Sequence, residues 1–187
     1  MGNILNKIIA FSLIIFLLPV FIVVSIIILI DDGYPILYIQ KNYGKNHKPF
    51  DLYKFRTMKK NTPEIPTEEF SEPGKYLLKS GLFLRKFSID ELPQFFNILQ
   101  GKINFIGPRP CMTNNEEIIR ELREKYGIEK MMPGITGWAQ INGRDLNSYQ
   151  EKISLDKYYL ENKNLLLDIK IIFKTFVVIL FPKNIKH

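Results

Sequence analysis

One cysteine and two histidines in 187 residues leave whole classes of chemistry with little to work on. Cys111 alone excludes an internal disulfide framework and a cysteine metal cluster, and it is compatible with a reducing compartment. His47 and His187 offer almost nothing to a histidine metal site or a histidine general base. The formal charge of +7 comes without a zinc-finger spacing, a helix-turn-helix or an RNA-binding aromatic motif, so no nucleic-acid partner is expected. That excess suits an anionic membrane surface or a phosphorylated substrate. Chemistry, where present, falls to carboxylates, arginines and lysines.

What is present begins with a long apolar run. Ile8 to Ile30 is interrupted only by Ser12, Pro19 and Ser25. As a helix it reaches roughly 35 Å, enough for a hydrocarbon core of about 30 Å. Asp31-Asp32 stands where a cleaved signal peptide needs small residues. Pro19 divides the run into arms of roughly 16 Å each, about half a bilayer. A straight span kinked at proline and a dip that returns to the same face both fit this pattern.

The remainder reads as a compact mixed α/β (α+β) domain. Residues 1–31 are expected to form a membrane anchor and 32–187 a separate domain. Tyr34 to Gln40 and Phe50 to Met58, rich in β-branched and aromatic residues around a turn at 42–46, predict a β-hairpin. Strand alternation puts Lys54 and Arg56 on one face, suited either to phosphate oxygens or to a solvated edge. Residues 61–74 read as a loop, and Leu77 to Phe87 as a helix. Gly107-Pro108-Arg109-Pro110 stiffens the backbone on both sides of Arg109, which suits either a guanidinium pre-ordered for an anion or a plain rigid turn. Thr113 with Glu116, and Ser148 with Glu151, are capping boxes opening two further helices. Between those helices, Pro133 to Arg144 carries glycines suited to close ligand approach and a flat Trp138. Leu165 to Phe181, apolar but interrupted by Asp168, Lys170 and Lys174, reads as an interfacial helix.

At the centre lies Arg85-Lys86-Phe87-Ser88-Ile89-Asp90-Glu91-Leu92-Pro93-Gln94. Pro93 suits a first helical turn, which makes Asp90 the expected N-cap, with Gly101 the stop after an apolar face at Phe95, Phe96, Ile98 and Leu99. An ordinary capping carboxylate and a reactive one both fit this stretch alone.

Four motifs then occur in order: Lys54-Phe55-Arg56-Thr57-Met58, Ser88 to Gln94, Gly107 to Pro110, and Pro133 to Gln140. Together they resemble the bacterial sugar transferases, more specifically a small monotopic phosphoglycosyl transferase, over nearly the whole chain. The resemblance implies transfer of a sugar 1-phosphate from a nucleoside diphosphate sugar, usually a UDP-sugar, to polyprenyl (undecaprenyl) phosphate. UMP is released in what is the first membrane step of glycan assembly. It implies a re-entrant helix among the lipids of the bacterial inner membrane, with the catalytic domain on the cytoplasmic face. It matches Asp90 to the family's nucleophile, which would form an aspartyl-phosphosugar intermediate, and Glu91 to the second carboxylate. Mg²⁺ held by Glu91, with Asp90, fits such a site. Arg109 and Arg85 are the expected phosphate clamp, backed by Lys54 and Arg56, with Gln140 and Arg144 near the nucleotide.

The chain departs from the family pattern at Asn42, where arginine is usual, and at Leu18-Pro19, where Ser-Pro is common. A membrane-anchored non-catalytic scaffold, its carboxylates only capping a helix, is the alternative from outside enzymology. A polytopic transferase needs many apolar spans, and this chain has one convincing run.

Overall fold

The computed structural model describes residues 3–60, 62–63, 73–113, 117–143 and 148–181. Arg144, Glu116 of the first expected capping box and most of the expected 61–74 loop lie outside them.

The apolar run forms two helices, α1 (Asn3–Phe16) and α2 (Leu18–Asp32), bent by 61° at Leu17. Pro19, at the start of α2, has no N–H to offer the preceding turn, so the axis changes direction there. Among the described residues no single helix is long and apolar enough to cross a membrane, whereas the bent pair together has that length and composition. Each helix buries one stripe and exposes the rest. Ala10, Val24 and Ile28 are buried, while Ile8, Phe11, Phe16, Ile22, Val23 and Ile30 are exposed.

Both ends of the pair are tied to the domain. Near the start, buried Asn6 donates from Nδ2 to Asn104 Oδ1 at 2.9 Å. At the finish, Asp31 Oδ2 accepts the Ser80 N–H at 2.8 Å, and Asp32 pairs with Arg56.

The hairpin forms as β1 (Leu37–Tyr43) and β2 (Pro49–Phe55), antiparallel from Leu37 opposite Phe55 to Tyr43 opposite Pro49. β1 runs further than expected because its end also pairs with β4 (Cys111–Met112), giving the order β2-β1-β4. Asn42 is therefore a strand residue rather than part of the turn. β2 ends at Phe55, so Arg56 leaves the strand, and among the described residues the outer edge of β2 has no strand partner. The helix expected over 77–87 is shorter, α3 (Gly81–Lys86). Leu77 instead bridges to Met58, and Gly81 packs so tightly on the Thr57 carbonyl that a Cβ there would collide.

α4 (Gln94–Leu99) closes with Gly101 at φ 72°, its N–H on Ile98 O and the Lys102 N–H on Asn97 O, a Schellman stop. It packs on α1, burying Ala10, Phe50, Leu52, Phe95, Ile98 and Ile103 together. β3 (Asn104–Ile106) pairs in parallel with β5 (Gly134–Thr136). The glycines around this pair serve backbone contact rather than a ligand. A Cβ on Gly134 or Gly137 would collide with the backbone of 106–107, and one on Gly107 with Met132 O.

α5 (Glu117–Tyr126) ends at Gly127, φ 73°, and packs on α7 (Tyr149–Asn162), which opens with the expected Ser148–Glu151 capping box. Short α6 (Trp138–Ile141) lies between α7 and α8 (Leu165–Leu180). Trp138 is not an open platform: it stacks on Tyr158 at 5.4 Å, and the Lys170 and Lys174 ammonium groups lie over its ring at 5.3 and 5.8 Å. In α8, Asp168 faces inward and accepts the Tyr159 hydroxyl at 2.7 Å, whereas Leu166, Phe173, Phe176 and Leu180 are exposed.

Candidate active site

Ser88, φ 55° and ψ 24°, takes the left-handed conformation that turns the chain out of α3. From there a right-handed run begins. Ile89–Glu91 form a 3₁₀ turn, Leu92 and Pro93 keep helical angles, and α4 follows. The proline without a donor falls at the change from 3₁₀ to α winding, not one turn into a helix that Asp90 caps. The expected N-cap at Asp90 is thus corrected: Asp90 sits inside the turn, and Pro93 precedes α4. A helix dipole from a helix this short is a poor source of stabilisation, and the capping explanation for the carboxylate goes with it.

The charge comes from side chains instead. Arg109, on its proline-braced turn, donates from Nη2 to Glu91 Oε1 at 2.8 Å. Glu91 is 8% exposed and the Arg109 side chain 47% exposed, so the pair has one buried and one open end. Arg85, in the last turn of α3, donates from Nε to Thr57 Oγ1 at 3.0 Å. Half-buried Lys54 is held below the usual lysine range by desolvation first, then by Arg109; Glu91 and Asp90 partly restore it, and Arg85 adds to the depression. Arg109 pairs with Glu91, and β2 and α3, which carry Lys54 and Arg85, both pack on the 89–91 turn, so these five side chains form one candidate site. Its three cations outnumber its two carboxylates, a surplus suited to phosphate oxygens.

Other expected residues are placed differently. Arg56 is 6% exposed and committed to the end of α2, donating to Pro35 O and Gly33 O at 2.6 Å each and pairing with Asp32. It fastens the helix pair rather than facing the Lys54 site. Gln140 lies in α6 beside Gly137, its amide nitrogen and oxygen both buried without a hydrogen-bond partner. Arg144 is outside the described residues.

Among the described residues no group of three or more His, Cys, Asp or Glu side chains could hold a metal. Two adjacent carboxylates are nevertheless a common protein share of a Mg²⁺ shell, with substrate phosphates and water supplying the rest.

Sequence reasoning missed three supports of this site. Thr57 holds Arg85. Buried Asn42 donates to Pro110 O at 3.3 Å, bracing the arginine turn. Asn97, completely buried, joins α4 to β2. A polar residue inside the apolar run Phe95 to Leu99 was the available signal for the last.

Comparison with known proteins places the whole chain in a family. Residues 1–182 match the model of the family described as bacterial sugar transferase. The chain is 40% identical over 156 residues to the uncharacterized sugar transferase EpsL of Bacillus subtilis, covering 83% of this chain and 75% of that protein. It is 35% identical over 185 residues to the exopolysaccharide production protein ExoY of Sinorhizobium fredii, covering 91% and 81%. It is 36% identical over 163 residues to the UDP-glucose:undecaprenyl-phosphate glucose-1-phosphate transferase of Escherichia coli, covering 84% of this chain but 35% of that longer protein. With its motifs in order and the match running almost end to end, the chain belongs to the bacterial sugar transferase family.

Proposed function

We propose that this protein transfers a sugar 1-phosphate from a UDP-sugar to polyprenyl (undecaprenyl) phosphate through a covalent aspartyl-phosphosugar intermediate. The observation that carries this reading is the clustering of Asp90 and Glu91 with Lys54, Arg85 and Arg109. Relatives named as UDP-glucose and UDP-N-acetylgalactosamine transferases supply the donor class.

In the first half-reaction an Asp90 carboxylate oxygen attacks the β-phosphorus. The bond from that phosphorus to the bridging oxygen breaks, and its electron pair leaves on UMP. Arg109 and Arg85 hold the non-bridging oxygens, and Lys54 adds a third positive charge beside the carboxylates. Arg109 also holds Glu91 in place by direct hydrogen bonding. Glu91, with Asp90, is the residue that would hold Mg²⁺, which when bound neutralises charge on the diphosphate. In the second half-reaction a polyprenyl phosphate oxygen attacks the same phosphorus, the bond to Asp90 breaks, and the free carboxylate returns. Gln140 and Arg144 are the proposed nucleotide contacts.

The helix pair is read as re-entrant in the inner membrane, with the domain on the cytoplasmic face. Support comes from its two anchored ends: Asn6 bonds Asn104, and Asp31 and Asp32 bond Ser80 and Arg56 of that same domain. A spanning helix would separate those ends by a bilayer. The exposed apolar faces of α1, α2 and α8 give lipid tails a surface.

The test is UMP release from UDP-sugar with polyprenyl phosphate, comparing wild type with Asp90→Asn. Near-total loss is expected, and turnover retained by the variant would exclude the covalent route.

A further inference from the structure

We infer that Asn97 is a positioning residue for the reaction, setting Lys54 against the Asp90–Glu91 pair; the inference rests on the covalent reading above. β2 is an edge strand: β1 pairs with one side of it, and among the described residues no strand lies on the other. Asn97 takes up that side. Its Oδ1 accepts the Tyr53 N–H at 3.0 Å, and its Nδ2 donates to Asp51 O at 2.7 Å. The side-chain amide thus supplies the two hydrogen bonds that a neighbouring strand would supply, in a position with 0% exposure.

The place of this clip matters. Lys54 is the next residue along β2, the strand that packs against the 89–91 turn carrying Asp90 and Glu91. Asn97 lies in α4, the continuation of the right-handed run that begins at Ile89 and contains both carboxylates. One end of the clip is therefore built into the piece that carries Asp90, and the other into the strand position beside Lys54. Side chains elsewhere in α4 and β2 pack by apolar contact, which resists separation but tolerates sliding. Two hydrogen bonds to fixed backbone atoms set register as well as distance. Protection of an open strand edge alone would affect stability and aggregation, not the chemistry at Asp90.

The experiment is single-turnover formation of the protein adduct from UDP-glucose or UDP-N-acetylgalactosamine without acceptor, followed by quenched intact mass. It uses the full chain in detergent or nanodiscs, as wild type, Asn97→Ala, Asn97→Asp, Lys54→Met and the Asn97→Ala/Lys54→Met double variant. Asn97→Ala is expected to slow adduct formation by about a hundredfold, the scale of a 1 Å misplacement, with a much smaller change in half-saturating donor. Asn97→Asp keeps the acceptor for Tyr53 but turns a carboxylate oxygen on Asp51 O in a fully buried site, and is expected to lose at least as much as Asn97→Ala. In the double variant, Lys54→Met should cost at most about threefold beyond Asn97→Ala, because the lysine is already misplaced. Ile98→Val, a core change in the same helix, controls for stability and should form adduct near the wild-type rate. Additive losses, or an Ile98→Val loss equal to that of Asn97→Ala at matched stability, would overturn the inference alone. A wild type that forms no adduct with either donor would overturn the parent reading and this inference together.

Discussion

Arg109 Nη2 and Glu91 Oε1 stand 2.8 Å apart, joining the proline-braced turn to the carboxylate turn across 18 residues of sequence. The carboxylate end is buried and the guanidinium end partly exposed, so the arginine is fixed on the side that meets Glu91. Arg109→Ala removes both the partner of Glu91 and a preorganised donor. Adduct formation is expected to fall by about 10²- to 10³-fold. Arg109→Lys retains charge but not the planar fork and should fall between that variant and wild type. Rapid-quench assays of both variants check the order.

Lys54 links function to a stability cost. Its depressed pKa means the unfolded chain binds more protons than the folded one between that value and the ordinary 10.5. The charged side chain therefore costs stability in full below its folded pKa, and the cost fades as pH rises toward 10.5. Lys54→Met is expected to unfold at higher temperature than wild type at pH 7, by a margin that shrinks in alkaline buffer, while activity falls. Thermal unfolding across that pH range measures the margin. A gain that grows with pH would contradict this assignment.

Arg56 and Lys54 look equivalent in sequence and act differently in the fold. Removing Arg56 leaves Asp32 and the carbonyls of Gly33 and Pro35 without their common donor. Arg56→Met should cost about 2 kcal/mol, below the usual range for a fully buried pair because Asp32 is partly open. The loss should read in unfolding temperature and in protease release of the helix pair, with little change in KM for donor in the folded fraction.

Single cysteines at Asn3 and Lys45, in a Cys111→Ser background, test the course of the helix pair. Both are expected to react with an impermeant maleimide from the cytoplasmic side only. Labelling from opposite sides would establish a span.

Much of this architecture was legible because local rules sufficed. The hairpin, the break in the apolar run near Pro19, the Ser148–Glu151 box and the Gly101 stop each follow from a few neighbouring residues. The failures lie where tertiary contacts decide. Strand alternation placed Arg56 beside Lys54, but β2 ends one residue earlier and the guanidinium turns to α2. Trp138 and the glycines at 134 and 137 look ligand-ready in sequence, yet stacking on Tyr158 and backbone contact with 106–107 consume them. The N-cap expected at Asp90 falls out of register because a 3₁₀ turn ahead of Pro93 has no strong local signal. The cations around it come from three separate segments, which no spacing rule connects.

Everything in the mechanism returns to Asp90 becoming phosphorylated. The most direct measurement is intact mass of the protein after incubation with UDP-glucose or UDP-N-acetylgalactosamine and no acceptor, with Asp90→Asn in parallel. The account predicts a mass gain of one sugar phosphate on wild type with a cognate donor, released on adding polyprenyl phosphate and absent from the variant. Turnover by a ternary complex of both substrates, with no adduct on the wild-type chain, would contradict it.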